Sequence, residues 1–267
     1  AVRRGLDRLR EAGVEFNVLT VVQGDNGDHP VAVYEGLKEL GAEFIQFIPI
    51  VEREGETGVS ERSVAPEQFG TFLSRIFDLW LAGDIDRIFV QHFNSALNAV
   101  LGNPYTLCVH APRCGRAVAL EHNGDLFSCD HYVFEEFRLG NIGSESYRVV
   151  LDGEQQVAFG DAKELALPRE CLDCEVRRFC HGGCPAHRFV PDPGGGFAGN
   201  YLCTGYRAFF GHVEPFLEAM ASAIQRKLPP SQYFRFLTDP GLGPGRNAPC
   251  PCGSGRRFRL CCGQAGG

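Results

Sequence analysis

The chain has 267 residues, 44% of them hydrophobic and 22% charged, and its net charge at pH 7 is −7. These proportions are typical of folded proteins and exclude wholesale disorder. The negative net charge argues against a general nucleic-acid-binding protein, which needs clustered positive charge. No run approaches 18 apolar residues, so the sequence predicts neither a transmembrane helix nor a membrane partner.

The start of the sequence is typical of a helix and not of a signal peptide. Residue 1 is Ala, the only methionine is Met220, and residues 2–13 are charged and helical in pattern. We therefore expect the chain to be the downstream piece of a longer, cytoplasmic protein.

The first hundred residues alternate between helix and strand patterns. Residues 44–51 are nearly all apolar, as is typical of a strand buried on both faces of a parallel sheet. This alternation indicates βα units and an α/β fold. Helices are predicted at 1–12, 30–40, 67–81 and 94–102, and strands at 15–22, 44–51 and 87–93.

The pattern changes near residue 104. Two short β runs flank Asn123-Gly124 within residues 117–130, which is a strong hairpin signal. Residues 131–200 are rich in loop formers, and a helix is predicted from 204 to 226, with Pro215 dividing it. A linker rich in proline and glycine follows at 229–249, and the tail from 250 forms a separate small unit.

The 12 cysteines all follow residue 107, and they are crowded. In a reducing cytosol, clustered thiols more often bind metal than form disulfides or remain as core residues. Eight lie between 108 and 203, and four lie in the tail. They are Cys108, Cys114, Cys129, Cys171, Cys174, Cys180, Cys184, Cys203, Cys250, Cys252, Cys261 and Cys262.

The sharpest local signal is the run Cys171-x2-Cys174-x5-Cys180-x3-Cys184. Four-iron clusters use four thiolates, and in bacterial ferredoxin runs the fourth cysteine ligates the other cluster. A similar exchange here gives two four-cysteine sites. Cys184 then joins Cys108, Cys114 and Cys129, and Cys203 completes the other site. Two zinc sites satisfy the same count, and spacing alone does not separate iron–sulfur from zinc.

These cysteines carry a family resemblance. The pattern Cys114-x9-Gly124-x4-Cys129, followed by the run from Cys171 and by Cys203, resembles the SPASM domain of radical S-adenosylmethionine enzymes. The nearest resemblance is to the anaerobic sulfatase-maturing enzymes. The segments EFNVLTVV and FIQFIPIVE look like late barrel strands of that family. The stretch HYVFEEFRLGNI after Cys129-Asp130 is also similar to the family's sequence at that place. The resemblance covers roughly residues 1–225.

The resemblance implies a domain order. The C-terminal part of a radical S-adenosylmethionine (β/α) barrel occupies 1–104 and a loop-rich iron–sulfur domain 105–228, with a linker at 229–248 and a zinc knuckle at 249–267. Two auxiliary [4Fe-4S] clusters are implied. Cluster I is held by Cys108, Cys114, Cys129 and Cys184, and cluster II by Cys171, Cys174, Cys180 and Cys203.

The implied reaction oxidises a Cys or Ser of a sulfatase to Cα-formylglycine. A 5′-deoxyadenosyl radical removes hydrogen from the substrate β-carbon, and the family aspartate that matches Asp130 accepts the substrate proton. Without the resemblance, Asp130 is expected to be a turn or capping residue. The implied partners are a sulfatase polypeptide and an electron donor such as flavodoxin or ferredoxin; nucleic acid is not expected.

One family feature is missing from the sequence. The chemistry requires a CxxxCxxC motif for a third [4Fe-4S] cluster that cleaves S-adenosylmethionine, and no such spacing occurs between 1 and 267. We expect that motif upstream of residue 1, and we do not expect this chain alone to cleave the cofactor. Ile48, at the end of a late barrel strand, is expected to contribute to the S-adenosylmethionine pocket.

The tail pattern Cys250-x-Cys252-x8-Cys261-Cys262 predicts one tetrahedral Zn²⁺ site, since so short a segment needs metal to fold. It resembles the SEC-C motif. Arg256, Arg257 and Arg259 form a basic face, which is either a docking surface for a protein or nucleic acid or the solvated side of a structural knuckle.

Two other functions compete with sulfatase maturation. One is a related SPASM enzyme that forms thioether or carbon–carbon links in peptides. The other is a non-catalytic zinc protein that recognises a partner. Iron content separates the iron–sulfur enzymes from the zinc protein.

Overall fold

The computed structural model describes residues 2–251 and 254–264. It divides into two compact units, one formed by Ala1–Thr106 with Thr204–Gly267 and the other by Leu107–Cys203. The segment from 204 to 228 therefore groups with the first unit, whereas the sequence assigned it to the iron–sulfur domain. In the described residues, no helix combines the length and apolarity needed to cross a bilayer.

The first unit follows the predicted alternation of helices and strands. In chain order it contains α1 (Val2–Glu11), β1 (Asn17–Val22), α2 (Pro30–Glu39), β2 (Phe44–Pro49), β3 (Arg53–Glu54), β4 (Gly58–Val59), α3 (Pro66–Gly83), β5 (Phe89–Val90) and α4 (Gln91–Leu101). The parallel strands form a sheet in the order β1-β2-β5. This is the partial α/β barrel that the sequence predicts, and it is not closed.

The sheet has one buried and one open face. Val22, Ile45 and Phe47 are at most 1% exposed, whereas Leu19 and Val21 point to the other face and are 58% and 45% exposed. Alternation of side chains along parallel strands produces this division. The strands are therefore covered by helices on one side only within the described first unit.

The predicted strand at 87–93 is only partly correct. It is reduced to Phe89–Val90, and α4 starts at Gln91. The apolar run continues as helix because Phe93 packs edge-on against Phe77, with 5.1 Å between ring centroids, and is buried there. A short apolar run does not reveal by itself which of the two structures it adopts.

The second unit is built from short elements. In chain order it contains β6 (Ala119–Leu120), β7 (Asp125–Phe127), β8 (Arg138–Asn141), α5 (Tyr147–Asp152), α6 (Glu154–Leu165), α7 (Arg169–Leu172), α8 (Arg177–Cys180), β9 (Arg188–Val190) and β10 (Gly199–Asn200). The predicted hairpin around Asn123-Gly124 is confirmed as β6 and β7, and β8 adds a third antiparallel strand.

Helix α9 (Cys203–Gln225) continues through Pro215, which does not divide it as predicted. It shares an aromatic core with α3, since Tyr206 packs edge-on against Phe69 at 6.0 Å between ring centroids. The two helices approach through glycines. A Cβ atom added to Gly70 would lie 2.5 Å from the Gly205 carbonyl oxygen, so both positions require the absence of a side chain.

Residues 229–249 are not a free linker throughout. The 3₁₀ helix Pro230–Arg235 buries Tyr233, whose ring lies 6.1 Å from that of Phe216 in α9. Phe234 stands next in the row and packs edge-on at 5.0 Å against Phe258 of the tail. A row of aromatic rings thus joins the tail to the core of the first unit.

We expect Gly70→Ala to lower the free energy of unfolding by about 1–3 kcal/mol, because the new methyl group overpacks the contact between α3 and α9. Denaturant unfolding measures the change. Gly83→Ala is the matched control, since it lies in the same helix and its added Cβ meets nothing within 4 Å. Equal free energies for the two variants would contradict the close helix contact.

Candidate functional site

The eight cysteines from Cys108 to Cys203 lie in the second unit. Their electrostatic interactions fall into two groups. In the first, burial raises the pKa of Cys184 to about 11, and the charges of Cys114 and Cys108 act in the same direction. Burial likewise raises the pKa of Cys129 to about 12, with a further contribution from Cys184. We call these four residues the first quartet.

The second quartet consists of Cys171, Cys174, Cys180 and Cys203. Burial raises the pKa of Cys180 to about 12, and the charges of Cys171 and Cys203 add to the rise. Burial also raises the pKa of Cys171, and Cys203 and Cys174 contribute. These contributions link the same cysteines as the crossed grouping that the sequence suggests, and that grouping stays a prediction.

A reversal of the chain separates Cys180 from Cys184. Helix α8 ends at Cys180, and the next three residues, His181, Gly182 and Gly183, have φ values of 46°, 74° and 62°. A helix would have carried two residues four apart on one face. The left-handed turn instead sends each thiol to a different quartet.

Gly182 has no room for a side chain. A Cβ atom there would lie 2.6 Å from a methyl carbon of Leu167 and 2.7 Å from Nη2 of Arg188. Because the residue also has a positive φ, both sterics and backbone conformation favour glycine.

Helix α6 holds the loops of the first quartet through a polar inner face. Gln156 donates from Nε2 to the carbonyls of Gly115 and Ser128, at 3.2 Å each, next to Cys114 and Cys129. Gly160 accepts a backbone hydrogen bond from Cys114 at 3.1 Å. One turn further, Lys163 donates to the carbonyls of Cys108, Val109 and Ala111 at 2.7, 3.0 and 2.5 Å.

Asp130 is exposed and lies beside a member of the first quartet. The Cys129 thiol donates a hydrogen bond to Asp130 Oδ1, with 3.1 Å between the two atoms. A cysteine binds metal as the thiolate, which has no proton to donate. Metal binding at Cys129 therefore leaves the Asp130 carboxylate able to accept a proton from elsewhere.

Tyr132 was not predicted as a site residue, but it adjoins the first quartet. Burial raises its pKa, and the charges of Cys184, Cys114 and Cys129 raise it further. The ring packs edge-on against Phe137 and Phe159 at 4.7 and 5.2 Å between ring centroids. The phenol thus stays protonated and can serve as a hydrogen-bond donor.

Ile48 lies in the first unit, near the C-terminal end of β2. It is half-buried, and its register partner is Val21 of β1. It belongs to the open face of the sheet. Its position is compatible with a lining role, and no contact to a cofactor follows from it.

The tail brings Cys250, Cys261 and Cys262 together, with their sulfur atoms within 4.8 Å of one another. Cys252, the fourth predicted zinc ligand, lies outside the described residues. Backbone bonds close the loop, since Cys250 donates to Arg256 and Phe258 donates to Ala248, at 2.8 Å each.

The spacing of the sulfur atoms distinguishes the tail from the quartets. Four thiolates around a tetrahedral zinc ion at 2.3 Å stand about 3.8 Å apart. Within residues 2–251 and 254–264, the tail trio is the only group of three potential ligands that comes within 4.8 Å. The sulfur atoms of the tail trio are thus close enough together to bind one tetrahedral ion.

Comparison with known families agrees with both cysteine patterns. A family model described as an iron-sulfur cluster-binding domain (SPASM) matches residues 108–175, and the SEC-C motif matches residues 246–264.

Two curated relatives match most of the chain. The serine-type anaerobic sulfatase-maturating enzyme of Bacteroides thetaiotaomicron is 38% identical over 256 residues, which cover 90% of this chain and 62% of that enzyme. The cysteine-type enzyme of Clostridium perfringens is 28% identical over 230 residues, covering 84% of this chain and 61% of that enzyme. This chain therefore spans about three fifths of the length of these relatives.

A solved structure, native anSMEcpe with bound AdoMet and Cp18Cys peptide, has a TM-score of 0.72 and 29% identity to this chain. The match covers 84% of this chain and 62% of that one. The resemblance to the anaerobic sulfatase-maturating enzymes is confirmed, and so is the α/β fold of radical S-adenosylmethionine type.

We expect Gly182→Ala to destabilise the second unit and to lower the iron bound after anaerobic reconstitution, because the added methyl group displaces Leu167 or Arg188. Iron analysis and denaturant unfolding measure both effects. Gly195→Ala is the matched control, since Gly195 also has a positive φ but its Cβ would meet nothing within 4 Å. Full iron content in Gly182→Ala would refute the role of the turn.

Proposed function

We propose that this chain, a relative of the anaerobic sulfatase-maturating enzymes, is the downstream part of an enzyme that oxidises a Cys or Ser side chain of a sulfatase to Cα-formylglycine. The observation that carries the proposal is the placement of Asp130. Its carboxylate is exposed and hydrogen-bonded to Cys129, within the unit that carries the eight cysteines from Cys108 to Cys203. The 38% identity to a serine-type enzyme supports the same function.

We propose that the first quartet holds auxiliary cluster I and the second quartet auxiliary cluster II, each a [4Fe-4S] cluster. Cysteine thiolates in groups of four are the ligands that such clusters use. When bound, the clusters supply one-electron redox capacity at a potential set by their surroundings. S-adenosylmethionine and a third [4Fe-4S] cluster belong to the longer protein, where Ile48 is proposed to line the pocket.

Asp130 is proposed to take the proton that the substrate thiol or hydroxyl loses. A general base must be able to reach the proton that it removes, and Asp130 is exposed while its neighbour Cys129 is fixed. Once Cys129 is a thiolate, Asp130 no longer receives the thiol proton in its hydrogen bond and is free to accept from substrate.

The remaining partners follow from the same reaction. The related structure with bound AdoMet carries a Cp18Cys peptide, and we propose a sulfatase polypeptide as substrate here. A flavodoxin or ferredoxin is the proposed electron donor. Because the proposed clusters need reduced cysteines, we propose a reducing compartment and therefore a cytoplasmic location.

The activity test uses a chimera in which this chain receives the preceding part of the Bacteroides thetaiotaomicron relative. Mass spectrometry follows conversion of a serine and a cysteine sulfatase peptide to formylglycine. We expect Asp130→Asn to lower turnover about 10²–10⁴-fold, because the general base is lost, with iron content unchanged.

Asp173→Asn is the matched control, since Asp173 is also exposed and also adjoins a cluster cysteine, Cys174. We expect it to retain turnover. Full activity of Asp130→Asn at full iron content would refute the proposed base. A colourless chain that contains zinc and no iron would instead support the interaction module.

We also propose that Cys250, Cys252, Cys261 and Cys262 bind one Zn²⁺. Cys261→Ser is expected to abolish the zinc bound per chain and to leave the iron content unchanged, as metal analysis will measure. Ser254→Ala is the control, because Ser254 Oγ lies 3.2 Å from Cys261 Sγ but is not a proposed ligand. Zinc retained at full occupancy in Cys261→Ser would exclude this site.

A further inference from the structure

We propose that Lys163 and Arg188 form a cationic pair beside both cysteine quartets, and that their positive charge raises the reduction potential of the iron–sulfur clusters held there. The inference rests on the cluster binding proposed above and assigns these two side chains a positioning and tuning role.

Lys163 is an unusual residue to find inside this unit. It is 1% exposed, and it is the only buried lysine or arginine in the described part of the chain. Burial of a charge is costly unless an opposite charge or strong hydrogen bonds offset the loss of water. Some feature of its surroundings must therefore favour the ammonium group.

Backbone carbonyls satisfy the hydrogen bonds of Lys163 but do not neutralise it. Its three N–H donors point to the carbonyls of Cys108, Val109 and Ala111. Among the described residues it forms no ion pair with a carboxylate. The segment that it holds carries Cys108, so its charge lies next to the first quartet.

Arg188 is linked to Lys163 and also lacks a carboxylate partner within the described chain. Its Nη1 donates to the Lys163 carbonyl at 2.8 Å, its Nε to Gly182 at 3.0 Å and its Nη2 to His181 at 2.9 Å. It thereby holds the turn that directs Cys180 and Cys184 to different quartets.

The charges that offset these two cations are thiolates. Burial lowers the pKa of Lys163 to about 8, and the thiolates of Cys114, Cys184 and Cys108 oppose this fall. For Arg188, the opposing thiolates come from both quartets, and the two largest contributions are those of Cys171 and Cys114. Two like charges thus lie near members of both quartets, on the loop that carries Cys108 and on the turn between Cys180 and Cys184.

The electrostatic consequence has a definite sign. A [4Fe-4S] cluster with four thiolates is anionic, and taking up an electron adds further negative charge. A fixed positive charge nearby stabilises the reduced form more than the oxidised form, and a buried site screens that effect little. Removal of either cation should therefore make the clusters harder to reduce.

The test is a redox titration of the anaerobically reconstituted chain, followed by electron paramagnetic resonance and absorbance. Lys163→Gln keeps a hydrogen-bond donor and removes the charge. We expect it to lower the midpoint reduction potential of one cluster by at least about 59 mV. For one electron, this shift is a tenfold change in the equilibrium constant. Arg188→Gln should shift both clusters, because Arg188 interacts with both quartets.

The charge-conserving variants Lys163→Arg and Arg188→Lys should restore the wild-type potentials. Arg113→Gln is the surface control, since Arg113 is exposed and paired with Asp161 and Glu164 at 3.1 and 3.0 Å, and it should shift neither potential.

Each outcome decides one question. Unshifted potentials in Lys163→Gln and Arg188→Gln, at full iron content, would overturn the inference. Loss of iron in both the neutral and the charge-conserving variants would also overturn it, because the pair would then act by packing alone. Absence of iron from the wild-type chain would instead refute the proposed cluster binding.

Discussion

The second unit depends on one constraint, the left-handed turn between Cys180 and Cys184. His181 has a positive φ, which costs a non-glycine residue backbone free energy, whereas Gly182 and Gly183 adopt it readily; neighbouring contacts must hold His181 in place. Arg188 supplies those contacts by binding the carbonyls of the turn, and Gly182 makes room for it. Without this reversal, a helical run would direct both thiols to one side, and the first quartet would lose Cys184.

The sequence predicted most of what lies in strongly patterned segments. The apolar stripe of α3, the parallel strands β1 and β2 and the hairpin at Asn123-Gly124 follow from periodicity and turn chemistry alone. The crossed grouping of the cysteines was predicted by analogy with ferredoxin runs, and it stays a prediction. The predictions of iron in the eight-cysteine unit and of proton transfer by Asp130 needed the family resemblance, since spacing there does not separate iron from zinc.

Helix α6 could not be predicted from the sequence, because the residues on its buried face are polar or small. Helix α6 turns Gln156, Gly160 and Lys163 inward, so it shows no hydrophobic period, and the segment was predicted as loop. The proposed role of Lys163 and Arg188 depends on carbonyls and thiols that are distant from them in sequence, so the local sequence does not reveal it. At the end of β5 the opposite problem arose, because the apolar side chains after Val90 are compatible with strand and helix alike.

The row of rings from Phe216 through Tyr233 and Phe234 to Phe258 has a consequence for the tail. A metal knuckle on a loose tether would fold and unfold independently of its neighbour. Here the tail is anchored to the helix core, so occupancy of the proposed Zn²⁺ site and melting of α9 are expected to be thermodynamically linked. Removing the metal with a chelator should therefore lower the melting temperature of the whole first unit, and not only unfold the last twenty residues.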